Sequence, residues 1–162
     1  MNKMKLYCDL DGVLCNFNGR FEEYSGLSPD KFIEKYNIRA FWKEIEKNGV
    51  KWWSHMEWLP NAKDLWNFII NNFEDVEILT GSPWGLCGQY AHQGKEIWVA
   101  RELGGYKVNH KSGSKKWEYA NEDTILIDDT PKVIQKWIEL GKGIGILYIN
   151  TIETIKILEK WV

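Results

Sequence analysis

Apolar residues along the chain gather into short unbroken runs, and between the runs they recur at helical spacing. "MKLYC" (4–8), "VEILT" (76–80), "TILID" (124–128) and "IGILYI" (144–149) lack strict in/out alternation. Such runs suit strands covered on both faces, the hallmark of a parallel sheet. "YKVNH" (106–110) is a weaker fifth strand. In "NAKDLWNFIINNF", Ala62, Leu65, Trp66, Ile69 and Phe73 fall on one helical face. "DTPKVIQKWIELG" opens with Thr130 as N-cap and Pro131 in the first turn. It turns Val133, Ile134, Trp137 and Ile138 inward and stops at Gly141. "TIETIKILEKWV" places Ile152, Ile155 and Leu158 on a last helix. Strand–helix alternation predicts an α/β fold, an open Rossmann-like parallel sheet of about five strands with helices on both faces. Ligands of such sheets bind beyond the carboxyl ends of the strands, where Asp9, Thr80 and Asp128 lie.

Residues 16–59 interrupt this rhythm. "SPDKFIEKY" and "AFWKEIEKNG" read as helices, and the stretch is too long and too apolar for a loop. It predicts a small helical cap inserted after the first strand of a single core domain spanning 1–162. Trp66, Trp98, Trp137 and Trp161 fit core faces of helices. Cys8 reads as buried packing, and Lys95 as either a solvated helix face or a functional position.

Composition narrows the function classes. The 162 residues carry 21 basic and 23 acidic side chains, a net charge of -2, so a bulk electrostatic grip on a nucleic-acid polymer is not expected. No apolar run approaches the roughly 20 residues that span a bilayer, and acids interrupt the N-terminus before any signal-like stretch. Three cysteines without a CxxC pair read as reduced thiols, so a cytoplasmic setting is expected. The three histidines have no metal spacing. Ten Trp, seven Tyr and six Phe are a heavy aromatic load that needs a reason.

The candidate chemistry sits at the strand ends: Asp9 and Asp11, then Thr80, Gly81 and Ser82, then Asp128 and Asp129, with lysines in "HKSGSKKWEYA". Acids this close repel unless a cation neutralises them or they share protons. An all-oxygen set without His or Cys favours Mg²⁺ over zinc, and Mg²⁺ with carboxylates suits phosphate chemistry. Residues two apart on an extended strand return to one side, so Asp9 and Asp11 can divide the work of nucleophile and general acid/base.

"DLDGVL", "ILTGSP", a later lysine and "ILIDDTP" resemble, in order, the four motifs of the haloacid dehalogenase superfamily. The resemblance implies Asp9 as nucleophile, Asp11 as acid/base and Thr80 as a phosphate ligand. It also implies that Asp9, Asp128 and the backbone carbonyl of Asp11 hold Mg²⁺, with Asp129 assisting. An acid at Asp11 matches the phosphatase branch of that superfamily. "DLDGVLCNF", "AFW" (40–42), "WLPNA" (58–62), "KEIWV" (95–99) and "LIDDTPKVIQKW" further resemble the 5′(3′)-deoxyribonucleotidases and their phage and bacterial relatives. In that family cap aromatics sandwich a base. The matching positions are Phe17, Phe41, Trp42 and the Trp52–Trp53 pair.

Two departures stand out. Gly81 separates Thr80 from Ser82-Pro83, and if Lys116 is the phosphate-site lysine, Ser114 occupies the place of an arginine. Lys111 or Lys115 could supply that cation or take the lysine's role.

The leading expectation is a Mg²⁺-dependent phosphomonoesterase acting on a deoxynucleoside monophosphate or related nucleotide. Another small phosphate ester, or a polynucleotide 3′-phosphate end, is the enzymatic alternative. A receiver-type signalling module is a distant one, poorly matched by the DxDG motif and the long insert. An inactive scaffold is disfavoured, because every acidic motif position is filled.

Overall fold

A computed structural model describes residues 2–162. In chain order the elements are β1 (Asn2–Cys8), α1 (Phe17–Ser25), α2 (Pro29–Lys35), α3 (Ile38–Glu46), α4 (Val50–Ser54), α5 (Ala62–Asn72) and β2 (Phe73–Thr80). They continue with α6 (Gly85–Glu102), β3 (Val108–His110), a 3₁₀ helix (Gly113–Tyr119), β4 (Thr124–Asp128), α7 (Pro131–Glu139), β5 (Ile144–Leu147) and α8 (Thr151–Leu158). A second 3₁₀ turn covers Glu159–Trp161. Two compact units result. One comprises Met1–Cys15, Trp58–Gly81 and Lys107–Val162; the other comprises Asn16–Glu57 and Ser82–Tyr106.

The first unit holds the sheet, whose order is β3-β2-β1-β4-β5 with every pairing parallel. Along β1, Leu6, Tyr7 and Cys8 are all buried, although successive residues point to opposite faces. Both faces are therefore covered, which explains why the strands read as continuous apolar runs. On one face Tyr7, Leu79 and Leu126 pack with Val133, Ile134 and Trp137 of α7. Tyr7 meets Trp137 and Tyr119 edge to face, both at 5.7 Å between centroids. α5 presents Ala62, Leu65, Trp66 and Ile69 as its buried face, and α8 packs against it.

The burial expectations for Ile138 and Trp161 need correction, and α8 buries a face that its isoleucines do not mark. Ile138 lies at the edge of the α7 face and is exposed, although one side of its side chain packs over Gly145. Along α8 the buried face is Thr151, Thr154 and Leu158, while Ile152 is 64% exposed and Ile155 only partly covered. The threonines can go inward because each hydroxyl is satisfied: Thr151 Oγ1 donates to Asn61 O (3.1 Å) and Thr154 Oγ1 to Asn150 O (2.8 Å). Trp161 falls in the terminal 3₁₀ turn, outside the α8 face, and is exposed.

The second unit is helical and aromatic. Phe21, Phe32, Phe41, Ile45, Trp52 and Trp53 form its core with one face of α6. Gly94 lets α6 approach α4 closely; a Cβ there would lie 2.4 Å from Trp53 Cβ and 2.7 Å from Val50 O. Trp98 Nε1 donates to Met56 O (2.7 Å), fixing the indole in this interface. Among the described residues, no helix is long and apolar enough to cross a membrane.

Candidate active site

The acidic residues meet because of strand register. Cys8 pairs with Ile127, and Asp9 N donates to Ile127 O (3.0 Å), so Asp9 and Asp128 stand side by side at the ends of β1 and β4. Carboxylate oxygens of Asp9, Asp128 and Asp129 lie within 4.8 Å of one another. Asp9 and Asp128 are buried; Asp129 is exposed as a residue, but its carboxylate lies against Gly12 and the other two acids.

Beyond Asp9 the chain turns tightly. Val13, Leu14 and Cys15 all donate backbone N–H groups to Leu10 O, and Gly12 N donates to Cys15 O (3.0 Å). Gly12 takes φ +82°, and a Cβ at that position would sit 2.0 Å from Asp129 Oδ2. Glycine is thus required twice over, for the left-handed backbone and for the close approach of a carboxylate.

Lys116 is the lysine that reaches the acids. Its Nζ lies 2.7 Å from Asp128 Oδ2 and 3.2 Å from Asp9 Oδ1, and the side chain is buried. Lys111 instead pairs with Glu118 at 2.8 Å, and Lys115 is exposed. The backbone engages the acids as well: Leu10 N donates to Asp9 Oδ1 (2.9 Å) and Thr130 N to Asp128 Oδ1 (2.9 Å). Both Asp128 oxygens are therefore occupied, and Asp9 keeps Oδ2 uncommitted among the described residues. Thr130 is the N-cap residue of α7, as expected, but its hydroxyl makes no capping bond, and its own N–H donates to Asp128 two residues earlier.

Electrostatics follow from this crowding. Burial pushes Asp9 well above the usual carboxylate range, Asp128 adds to the rise, and Lys116 opposes it. Burial would lower Lys116, yet the charges of Asp9 and Asp128 outweigh it and hold the ammonium on. Asp129 is raised to about 6, by burial and then by Asp128. Asp11 contributes repulsion to both Asp9 and Asp129, which places its charge in the same field. Its carboxylate stands outside the three-acid cluster. Asp9, Asp128 and Asp129 crowd around one buried lysine, and that crowding disfavours their ionised forms. A divalent cation with oxygen ligands would favour the ionised forms, and the donor set fits Mg²⁺.

Thr80 ends β2 fully buried, and its carbonyl accepts Lys111 N–H (2.9 Å). Gly81 packs against the Lys111–Gly113 backbone; a Cβ there would be 3.5 Å from Lys111 O. Thr80, Gly81 and the loop leading to Lys116 thus gather at one edge of the sheet.

Ser82 belongs to the second unit, where its buried Oγ has no hydrogen-bond partner among the described residues. The aromatic candidates lie in that unit and are brought together. Phe17 stands between Phe41, Trp42, Trp52 and Trp53, at centroid distances of 5.8–6.2 Å. Phe17 and Trp42 are half-buried; Trp52 and Trp53 are almost wholly covered. Arg20 lies 4.9 Å over the Trp52 ring. Lys95 is no solvated helix face. It is buried, with Nζ 5.1 Å over Trp53. Sequence reasoning left that outcome open, and the signal was its i, i+3, i+4 spacing with Ala91, Trp98 and Val99.

No protein-family model matches the chain, and no curated protein matches it in sequence. Solved structures do match. One is a hydrolase from Streptococcus pneumoniae TIGR4, with a TM-score of 0.56 at 15% identity, covering 98% of this chain and 100% of that one. Another, from Burkholderia xenovorans LB400, is provisionally named a haloacid dehalogenase-like hydrolase; its TM-score is 0.51 at 9% identity, covering 91% of this chain and 82% of that one. At these identities the likeness is one of fold. The chain has the five-stranded parallel α/β architecture of these hydrolases, with acids at the carboxyl ends of its central strands.

Proposed function

We propose that the protein is a phosphomonoesterase of the haloacid dehalogenase type, and that its substrate is a nucleoside monophosphate, preferably a deoxynucleotide. The observation that carries this reading is the Asp9–Lys116–Asp128 arrangement. A buried carboxylate is held at one oxygen, its other oxygen is uncommitted, and neighbouring acids suit an oxygen-ligated cation.

In this reading Lys116 and the Leu10 N–H fix Asp9 through Oδ1, and Oδ2 attacks phosphorus. The P–O bond to the leaving alcohol breaks while an Asp9 O–P bond forms. Asp11 donates its proton to the leaving oxygen, then takes one from the water that hydrolyses the aspartyl-phosphate, and so returns to its starting state. Thr80 and the Gly81 backbone bind the transferred phosphoryl oxygens, with Ser82 close in sequence. Asp9, Asp128 and Asp129, with the Asp11 carbonyl, would hold Mg²⁺. When bound, that ion supplies charge neutralisation at the phosphoryl group. Phe17 and Trp42 offer faces to a base, with Phe41, Trp52 and Trp53 as the packing around Phe17.

The test is a panel of phosphate esters assayed with Mg²⁺: deoxynucleotides, ribonucleotides, glycerol phosphate and a 3′-phosphorylated oligonucleotide. The expected result is turnover of deoxynucleoside monophosphates that EDTA abolishes and Mg²⁺ restores. Asp9→Asn should remove turnover, and Asp11→Asn should slow it by roughly 10²–10⁴. Wild-type rates for Asp9→Asn would sink the mechanism. Turnover confined to the oligonucleotide end would replace the substrate.

A further inference from the structure

The two edges of the sheet are built differently. β3 spans only Val108–His110 and is bracketed by Lys107 and Lys111. A short edge strand flanked by lysines resists pairing with another chain. β5, at the opposite edge, carries no such guard. From Gly143 to Ile152 the chain reads "GIGILYINTI", with no charge and no proline. Among the described residues β4 is its only strand neighbour, so one row of its backbone N–H and C=O groups faces away from the sheet.

The surroundings of this edge are apolar. Among the described residues, the exposed large apolar side chains of the sheet unit all lie from Ile138 onward. Leu147 ends β5 at 37% exposure, and Ile149 and Ile152 follow at 76% and 64%. Ile138, itself exposed, packs over Gly145. Alternation along the strand puts Leu147 on the same face as Gly145. β5 thus carries a residue without a side chain and an exposed leucine, two positions apart on one face.

We propose that β5 is a self-association edge, on which two copies of this chain pair their β5 strands antiparallel about a two-fold axis. The unpaired main-chain row is matched only by another strand, and a two-fold axis sets a strand antiparallel to its own copy. Residues directly opposite in such a pair share a face, so their positions differ by an even number. Centred on Ile146, this rule sets Gly145 of one copy opposite Leu147 of the other, twice. Each leucine then lies beside the Ile138 that covers the facing glycine. No charge meets its like, because the segment has none. The apolar side chains and the strand edge offer on the order of several hundred Å² per copy, towards the roughly 800 Å² per partner of a standard interface. The pair uses both β5 edges and leaves only the guarded β3 edges, so association stops at two copies.

The experiment is sedimentation velocity from low to high micromolar concentration on wild type, Leu147→Lys, Ile149→Lys and Ile38→Lys. Ile38 is 53% exposed in the helical unit and controls for an added charge. Wild type and Ile38→Lys should pass from 19.1 kDa to twice that mass as concentration rises. The two edge variants should weaken the dimer by roughly tenfold or more, since each brings like charges together across the pair. Circular dichroism checks that the variants fold. Hydrogen exchange on the wild type needs no variant: amides of Ile144–Leu147 should gain protection as concentration rises. A wild type that stays at 19.1 kDa, a dimer that survives both edge variants, a dimer that leaves β5 exchange unchanged, or assemblies larger than two copies would each overturn the proposal. The first of these is the result expected if the edge serves a strand of a different protein.

Discussion

Lys116 is a buried cation set between two buried acids, and its value lies in what its removal would leave. Breaking a buried pair strands uncompensated charge, at a cost of about 3–5 kcal/mol. Lys116→Met should therefore lower unfolding free energy by that order in metal-free buffer, measured by urea denaturation. Added Mg²⁺ should recover part of the loss if the acids hold a cation. The acids themselves were legible in the sequence, because each ends an apolar run and strand register then brings them together. The choice of lysine was not. Lys111, Lys115 and Lys116 lie within six positions on a short irregular segment, and only the turn of the 3₁₀ helix directs one ammonium inward. The inward threonines of α8 were hidden for a related reason. A hydroxyl that finds a local carbonyl can be buried at little cost, and sequence hydropathy does not record the partner.

At the scale of elements, α6 shows why a long helix can be hard to see. Its buried positions recur at helical spacing, but they are Cys87, Gly88, Ala91, Gly94, Lys95, Trp98 and Val99. Two glycines and a lysine erase the apolar stripe. Glycine is chosen at position 94 for contact rather than propensity. Gly94→Ala gains roughly 1 kcal/mol of helix propensity. It also drives a Cβ into Trp53 and into the Val50 carbonyl and Ser54 N–H of α4, and overpacking of this kind costs about 1–3 kcal/mol. A net loss of stability on thermal denaturation is expected, and a stabilised variant would show that the α4–α6 approach is looser than described.

The strands carry a second element-scale device. Glu77 of β2 accepts from Lys5 of β1 and from Asn109 of β3 (2.9 Å), tying three strands at one end of the sheet. Burial would raise Glu77, but these two hydrogen bonds and the Lys5 charge hold it below the ordinary 4.5. A depressed carboxylate contributes stability above its unfolded value and loses it as pH falls through the folded one. Glu77→Gln should cost about 1 kcal/mol near neutral pH. That difference should shrink as pH falls below 4.5 and through Glu77's lowered folded value, tracked by chemical denaturation across pH.

For the molecule as a whole, the strand order sets when the fold can exist. β1 is central, and its neighbours β2 and β4 begin at residues 73 and 124. The helical unit is likewise assembled from residues on either side of β2. During synthesis β1 gains its first partner only when β2 has emerged, and its second only when β4 has. Distant pairing of this sort delays folding and exposes strand edges meanwhile. A nascent chain arrested before Thr124 should leave the β1 amides open to hydrogen exchange, whereas one arrested beyond Thr151 and tethered by a long linker should protect them. Protection in the shorter chain would mean that β1 and β2 hold together without β4. The protein's exposure to aggregation then depends on how fast translation passes from β1 to β4, as well as on the stability of the folded sheet.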